Sequence, residues 1–242
     1  MSEAATSLEA DIQSHTYDFY DFGCSAGANI THTNSVFPGS RGLGIDIAAS
    51  KVALARENGH DAVVFDILKL PEKKAVDFVT MAHFLEHLPG LGMARRMIAK
   101  GISVAREFVM IRQPWFDADG ELARRGFKFY WSHWRGHPNK MTTLDFHSIL
   151  HEELQAGRIR RFSIFGRSPV RSSAHPSILP LSAPKDQHQY EEEKHGTKAV
   201  ERFPFVAYKE IVVRIDVGDG NKVDALQKRL EPLELLFDSG GD

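Results

Sequence analysis

The 242-residue chain has a single cysteine, Cys24, which excludes an internal disulfide and a cysteine-cluster zinc site. Such usage fits a reducing cytoplasm, the expected location. No apolar run reaches the ~18 residues that a membrane-spanning helix needs. The acidic stretch 1–13 has no apolar core, so it reads as no secretory signal. There is no internal repeat and no low-complexity tract. Core-forming material is plentiful: 42% of residues are hydrophobic and 26% charged. Those proportions and this length predict one folded α/β domain over residues 1–242.

Net charge is −2, but it is unevenly spread. Residues 1–90 carry 6 Lys+Arg against 12 Asp+Glu, residues 91–171 carry 15 against 7, and residues 172–242 carry 9 against 13. A basic middle lies between acidic ends, and such asymmetry bears on partners.

Apolar runs at 17–23, 41–47, 61–67, 76–84 and 107–111 read as strands, separated by helical patterns. The spacing predicts helices over 27–35, over a stretch ending at Asn58 and capped by Ser50, and over 92–104. This alternation predicts a parallel sheet covered on both faces. Residues 112–141 have no clear period and are rich in aromatics, histidine and arginine, as functional irregular segments often are. Thr142 and Asp145 form a capping-box pattern for a helix that Gly157 ends. Residues 158–166 and 205–215 read as further strands, and residues 222–236 as a terminal helix, with an interruption at Pro232 left open, and a frayed end at 239–242. The polar, proline-bearing stretch 168–200 reads as a surface insertion or mobile loop.

Asp21-Phe-Gly23-Cys-Ser25-Ala-Gly27 sits where the first strand meets the first helix. Glycines there let backbone approach a ligand, and helix-terminal amides face it. Alone, the turn reads equally well as a tight connection. Asp46 ends the second strand, where a carboxylate can accept both ribose hydroxyls. Asp66, followed by the amide of Ile67, ends the third. A dinucleotide loop needs glycine where Ser25 stands, because a pyrophosphate must come close. Asp21 disfavours a phosphate and favours a cation. These features suit an adenosine-bearing, phosphate-free, positively charged ligand, and leave a nicotinamide dehydrogenase as a weak option.

Asp21–Gly27 resembles the first motif of class I S-adenosylmethionine-dependent methyltransferases. Asp46 is similar to the family's ribose-binding acid, and Asp66 with Ile67 to its adenine-contacting position. Val79-Thr-Met-Ala-His-Phe-Leu-Glu-His-Leu88 resembles the fourth motif of the branch with Leu-Glu-His after the fourth strand. The resemblance covers about residues 15–115. It implies a Rossmann-like, doubly wound, mostly parallel seven-stranded sheet with an antiparallel last strand. It also implies S-adenosylmethionine as cofactor, held by Asp21, Gly23, Ser25, Gly27, Asp46, Ile47, Asp66, Ile67, Met81 and His83.

Methyl transfer from a sulfonium needs approach geometry, and a base only if the acceptor must lose a proton. The candidate bases are His83, His133 and His137, which also read as structural polar residues. The spacing of His83 and His87 is one that can bind metal, though no metal is expected. Glu86 would point elsewhere on that turn. Trp131, His133, Trp134, Arg135 and His137 are the candidate acceptor contacts, and the same segment reads also as a tryptophan-anchored loop. The expected activity is O- or N-methylation of a small-molecule or saccharide acceptor, anionic if the basic stretch faces it. An RNA-modifying methyltransferase of the same fold and a non-catalytic binding protein are the alternatives.

Overall fold

Strands buried on both faces must be apolar nearly throughout, and Val76–Ala82 shows how that is met here. In the computed structural model, which describes residues 16–219 and 222–240, these residues form the central strand. The acidic stretch 1–13 and residues 241–242 of the expected frayed end lie outside the described residues. Ser239 is held, with its amide donating to Phe162 O at 3.0 Å.

The order along the first half is β1 (Phe19–Phe22), α1 (Ala28–Val36), β2 (Gly42–Asp46), α2 (Ala49–Glu57), β3 (Ala62–Val64), β4 (Val76–Ala82), α3 (Leu91–Val104) and β5 (Ala105–Pro114). These five strands pair in parallel in the order β3-β2-β1-β4-β5. Then come α4 (Asp119–Arg124), β6 (Phe127–Phe129), α5 (Thr143–Gln155), β7 (Arg161–Ser172), β8 (Ile178–Pro180), α6 (Glu192–His195), β9 (Arg202–Asp216), α7 (Lys222–Arg229) and β10 (Leu233–Asp238). β9 lies antiparallel beside β5, followed outward by β7 and β10.

Side chains alternate between two cores. Phe19, Phe78 and Phe108 stand in register on neighbouring strands and stack at 5.0 and 4.6 Å, on the side that also buries Ile30, Val52 and Leu226. Tyr20, Val79 and Val109 face the other way, with Ile98 and Ile149. The sheet is therefore doubly wound, as expected.

Three expectations change. The sheet has eight strands, not seven. The terminal helix stops at Arg229, because Pro232 cannot donate to a helix and the run after it pairs with the open edge of β7. α2 enters at Ala48 rather than being capped by Ser50, with the Ala48 amide donating to Asp46 Oδ1 at 2.9 Å. The Thr142–Asp145 capping box is formed. The stretch 168–200 is tethered: it extends β7, then buries Ile178 and Leu179 in a separate ribbon of β8 against β6.

Candidate active site

The turn between β1 and α1 passes through the left-handed region at Gly23 (φ 69°), Ser25 (φ 47°) and Gly27 (φ 89°). Glycine is the residue for such angles. Contact requires it too: a Cβ on Gly23 would lie 2.1 Å from the Phe84 ring, and one on Gly27 2.2 Å from the His60 ring. Phe84 thus lies against the turn, and its neighbours on the β4 exit face a cavity described below.

Asp46 ties this region together. Its Oδ2 accepts from the Ser25 amide at 3.1 Å, and its Oδ1 from the Ala48 amide. Each carboxylate oxygen keeps acceptor capacity beyond one such bond. Beside it Ile47 is 77% exposed, an apolar surface with nothing covering it. Asp66 caps the 3-10 turn Ile67–Lys69, accepting from the Leu68 amide at 3.0 Å.

Three of the expected cofactor residues are placed differently from Asp46. The Ile67 side chain is core, so only its backbone is available to a ligand. Met81 is buried with its methyl group against Gly101 of α3. Asp21 is sealed inside, accepting from Asn29 Nδ2 at 2.7 Å and Thr80 Oγ1 at 2.9 Å. Burial pushes its carboxyl up to about 7, against those hydrogen bonds and the nearby Arg112.

Several of the candidate acceptor contacts line a cavity of about 440 Å³, with His83, Glu86, His87, Tyr130, Trp131, Trp134, His137, His188 and Glu210 among its walls. His83, Trp131, Trp134 and His137 are thus brought together as expected. Trp131 is a wall: its Nε1 donates to Trp115 O at 2.8 Å and it stacks on Phe129 at 4.3 Å. Trp134 is half-buried and packs against His188 at 4.9 Å. A larger hollow of about 530 Å³ beside α3, lined by Lys74, Arg96, Lys100 and Arg158 with Glu72 and Glu153, faces neither Asp46 nor the tryptophans.

The histidines separate. His83 has φ 51° and places Nε2 2.9 Å from Glu210 Oε1, with Nδ1 3.3 Å from Glu86 Oε1. Burial pulls its imidazole down, but the hydrogen bonds and charges of Glu210 and Glu86 prevail and hold it at about 9. Burial likewise works to raise Glu210, and His83 and Arg112 instead hold it at about 2. The raised value sets His83 apart from the other two candidate bases, whose pKa values are lowered. His133 is turned away from the cavity toward Lys128, with Nδ1 3.2 Å from Nζ, and burial and that charge lower its pKa. His137 lines the cavity with Nδ1 3.0 Å from Trp131 O, and its pKa is lowered chiefly by burial.

Arg135 is 82% exposed and paired with Asp186, outside the cavity lining. Its basic neighbours in sequence are similarly engaged: Arg95 with Glu152, Arg124 with Glu121, Arg158 with Glu153 and Arg161 with Asp238. The basic stretch is spread over ion pairs rather than gathered on the acceptor side.

Glu86, Tyr130, His188 and Glu210 were missed. Glu86 points into the cavity because Leu85–His87 is a 3-10 turn. The pair His83–Glu86 in that motif was the available signal; Glu210 comes from a strand 127 residues away and carried none.

A family model described as a methyltransferase domain matches residues 20–101. Isonocardicin synthase of Nocardia uniformis subsp. tsuyamanensis is 34% identical over 90 residues, which cover 36% of this chain and 30% of that protein. The match therefore spans under a third of that relative's length. A SAM-dependent methyltransferase from Archaeoglobus fulgidus superposes with TM-score 0.55 at 16% identity, covering 89% of this chain and 95% of that one. One from Methanosarcina mazei gives TM-score 0.51 at 14% identity, covering 83% and 92%. Residues 20–101 thus match a methyltransferase domain, and the chain shares the fold of these two S-adenosylmethionine-dependent methyltransferases.

Proposed function

We propose that the protein transfers the methyl group of S-adenosylmethionine to an oxygen or nitrogen of a small molecule. The observation that carries this reading is the aromatic cavity of about 440 Å³ past the end of β4, whose exit also packs Phe84 against Gly23. Its size lies in the range of small-ligand sites, roughly 300–1,000 Å³.

The residues present fit the cofactor. Asp46 offers two oxygens to ribose hydroxyls, and the exposed Ile47 offers an apolar surface to a base. The turn at Gly23–Gly27 brings backbone close, and buried Asp21 favours positive charge above it. Asp66 and the Ile67 backbone stand where an adenine edge would lie.

The cofactor supplies a methyl on a sulfonium; the acceptor's lone pair forms the new bond as the carbon–sulfur bond breaks, and that pair returns to sulfur. The chain's part is placement. Phe84, packed against Gly23, lies just before Glu86 and His87, which line the cavity. Trp131 and Trp134 offer ring faces to an aromatic or saccharide acceptor. His83, held between Glu86 and Glu210, is a hydrogen-bond donor rather than a proton acceptor. His137, whose Nδ1 faces a carbonyl, keeps Nε2 free to accept.

Calorimetry with S-adenosylmethionine and its demethylated product tests cofactor binding, and transfer of labelled methyl to sugars, phenols, amines and RNA tests the acceptor. The reading expects binding of both ligands and labelling of a small molecule. Absence of cofactor binding overturns it, and labelling of RNA alone assigns the acceptor to nucleic acid.

A further inference from the structure

The turn Leu85–His87 and the loop that follows Trp134 are stapled to each other. Asn139 donates its amide N–H to Glu86 O at 3.2 Å and its side-chain Nδ2 to Leu85 O at 3.0 Å. His87 Nδ1 lies 2.7 Å from Gly136 O. The staple gathers Glu86, His87 and His137, each of which brings a ligand-type atom within 4.8 Å of the others.

The hydrogen bonds fix which atoms are free. A carbonyl oxygen only accepts, so Nδ1 of His87 carries its proton toward Gly136 O, and Nδ1 of His137 carries its own toward Trp131 O. Nε2 of each ring is then left with its lone pair. Metal-binding histidines are held in this manner, with one nitrogen donating to a carbonyl or carboxylate and the other facing the ion.

Glu86 adds a separate observation. It is 1% exposed and lines the cavity, and its Oε2 meets no hydrogen-bond donor among the described residues. Its one charged neighbour, His83, faces Oε1 at 3.3 Å. A buried carboxylate oxygen left without a donor is costly, and it can be satisfied by coordinating a metal.

We propose that Glu86, His87 and His137 bind one divalent first-row transition ion of the zinc type. Two imidazoles and one carboxylate are a donor set that such ions take, and three protein ligands leave coordination positions open. Those positions face the cavity with Trp131 and Trp134. Resting on the methyl-transfer reading, the ion would hold the acceptor oxygen and ease loss of its proton to solvent, so that no protein base is needed.

The test is ion binding by the full chain, cleared with a chelator and studied without cofactor or acceptor. Zn²⁺ is followed by calorimetry and Co²⁺ by visible absorption. The expected result is one ion per chain, with affinity lowered about 100-fold or more both by His87→Ala, at an exposed position, and by the near-isosteric Glu86→Gln. His147 and His151 on α5 form another imidazole pair, with rings 5.6 Å apart, so His147→Ala is the background control. No binding by the wild type overturns the proposal. So does binding that survives His87→Ala and Glu86→Gln but is lost in His147→Ala. An ion titration that fails leaves cofactor binding untouched, and failed cofactor binding leaves the ion titration readable.

Discussion

At the carboxyl edge of one sheet, Asp46 and Glu86 are held in opposite ways. Asp46 follows β2 and takes backbone amides from Ser25 and Ala48 on its two oxygens. Glu86 follows β4, is buried, faces His83 with Oε1 and leaves Oε2 without a donor among the described residues. Around Asp46 the partners are main-chain amides, from Ala48 two residues on and from Ser25 on the glycine turn. Around Glu86 they are side chains brought from the loop after β6 and from β9. In the proposed function the first arrangement would hold a ribose in fixed geometry. The second keeps charge and lone pairs unspent, which is what recognition or activation of a reacting group requires.

The two sides can be separated by measurement, because Trp115, Trp131 and Trp134 all lie beyond β4 and report that side alone. The largest expected effect is at Asp21. Its raised pKa means that the folded state holds a proton more tightly than the unfolded state. The associated stability is full below the ordinary 3.8 and is lost as pH rises to about 7. That loss amounts to about 4 kcal/mol at 1.36 kcal/mol per unit. Denaturant unfolding at several pH values should show the decline in the wild type and not in Asp21→Asn; parallel curves would remove the buried acid from the account. Next, Asp46→Ala should weaken S-adenosylmethionine by about 10- to 100-fold in calorimetry while tryptophan emission stays unchanged. A shifted emission would mean that the two sides are mechanically joined.

Trp134→Ala should do the converse. It should raise the KM for the acceptor by about tenfold and leave cofactor affinity as it was. Smallest is Arg135→Ala, which breaks only an exposed ion pair with Asp186 and should change stability by less than about 1 kcal/mol. The acceptor KM should also hold. A marked rise in it would restore the basic stretch as a determinant of acceptor charge.

Much of the Asp46 side was legible, because its chemistry is local. A glycine turn, an acid at the next strand end and another at the third each sit within a few residues of the apolar run that positions them. Even there, what each side chain faces was hidden: Met81 turned toward α3 and Asp21 was sealed by Asn29 and Thr80. The Glu86 side was legible only as a composition of tryptophan, histidine and arginine. His133 and Arg135 lie beside Trp134 in sequence, yet the loop turns them to Lys128 and Asp186. The eighth strand was read as helix, since Leu233–Asp238 has partners only once the edge of β7 is open beside it.

The sequence by itself determined the parallel half of the sheet and the glycine and aspartate positions at its edge, because strand periodicity and turn chemistry act over a few residues. Tertiary structure alone decided that the basic stretch is spent in ion pairs and that His83 sits between Glu86 and Glu210. It alone set Glu86, His87 and His137 within reach of one another. Charge pairing and ligand geometry depend on distances across the fold, and residues far apart in the chain set those distances.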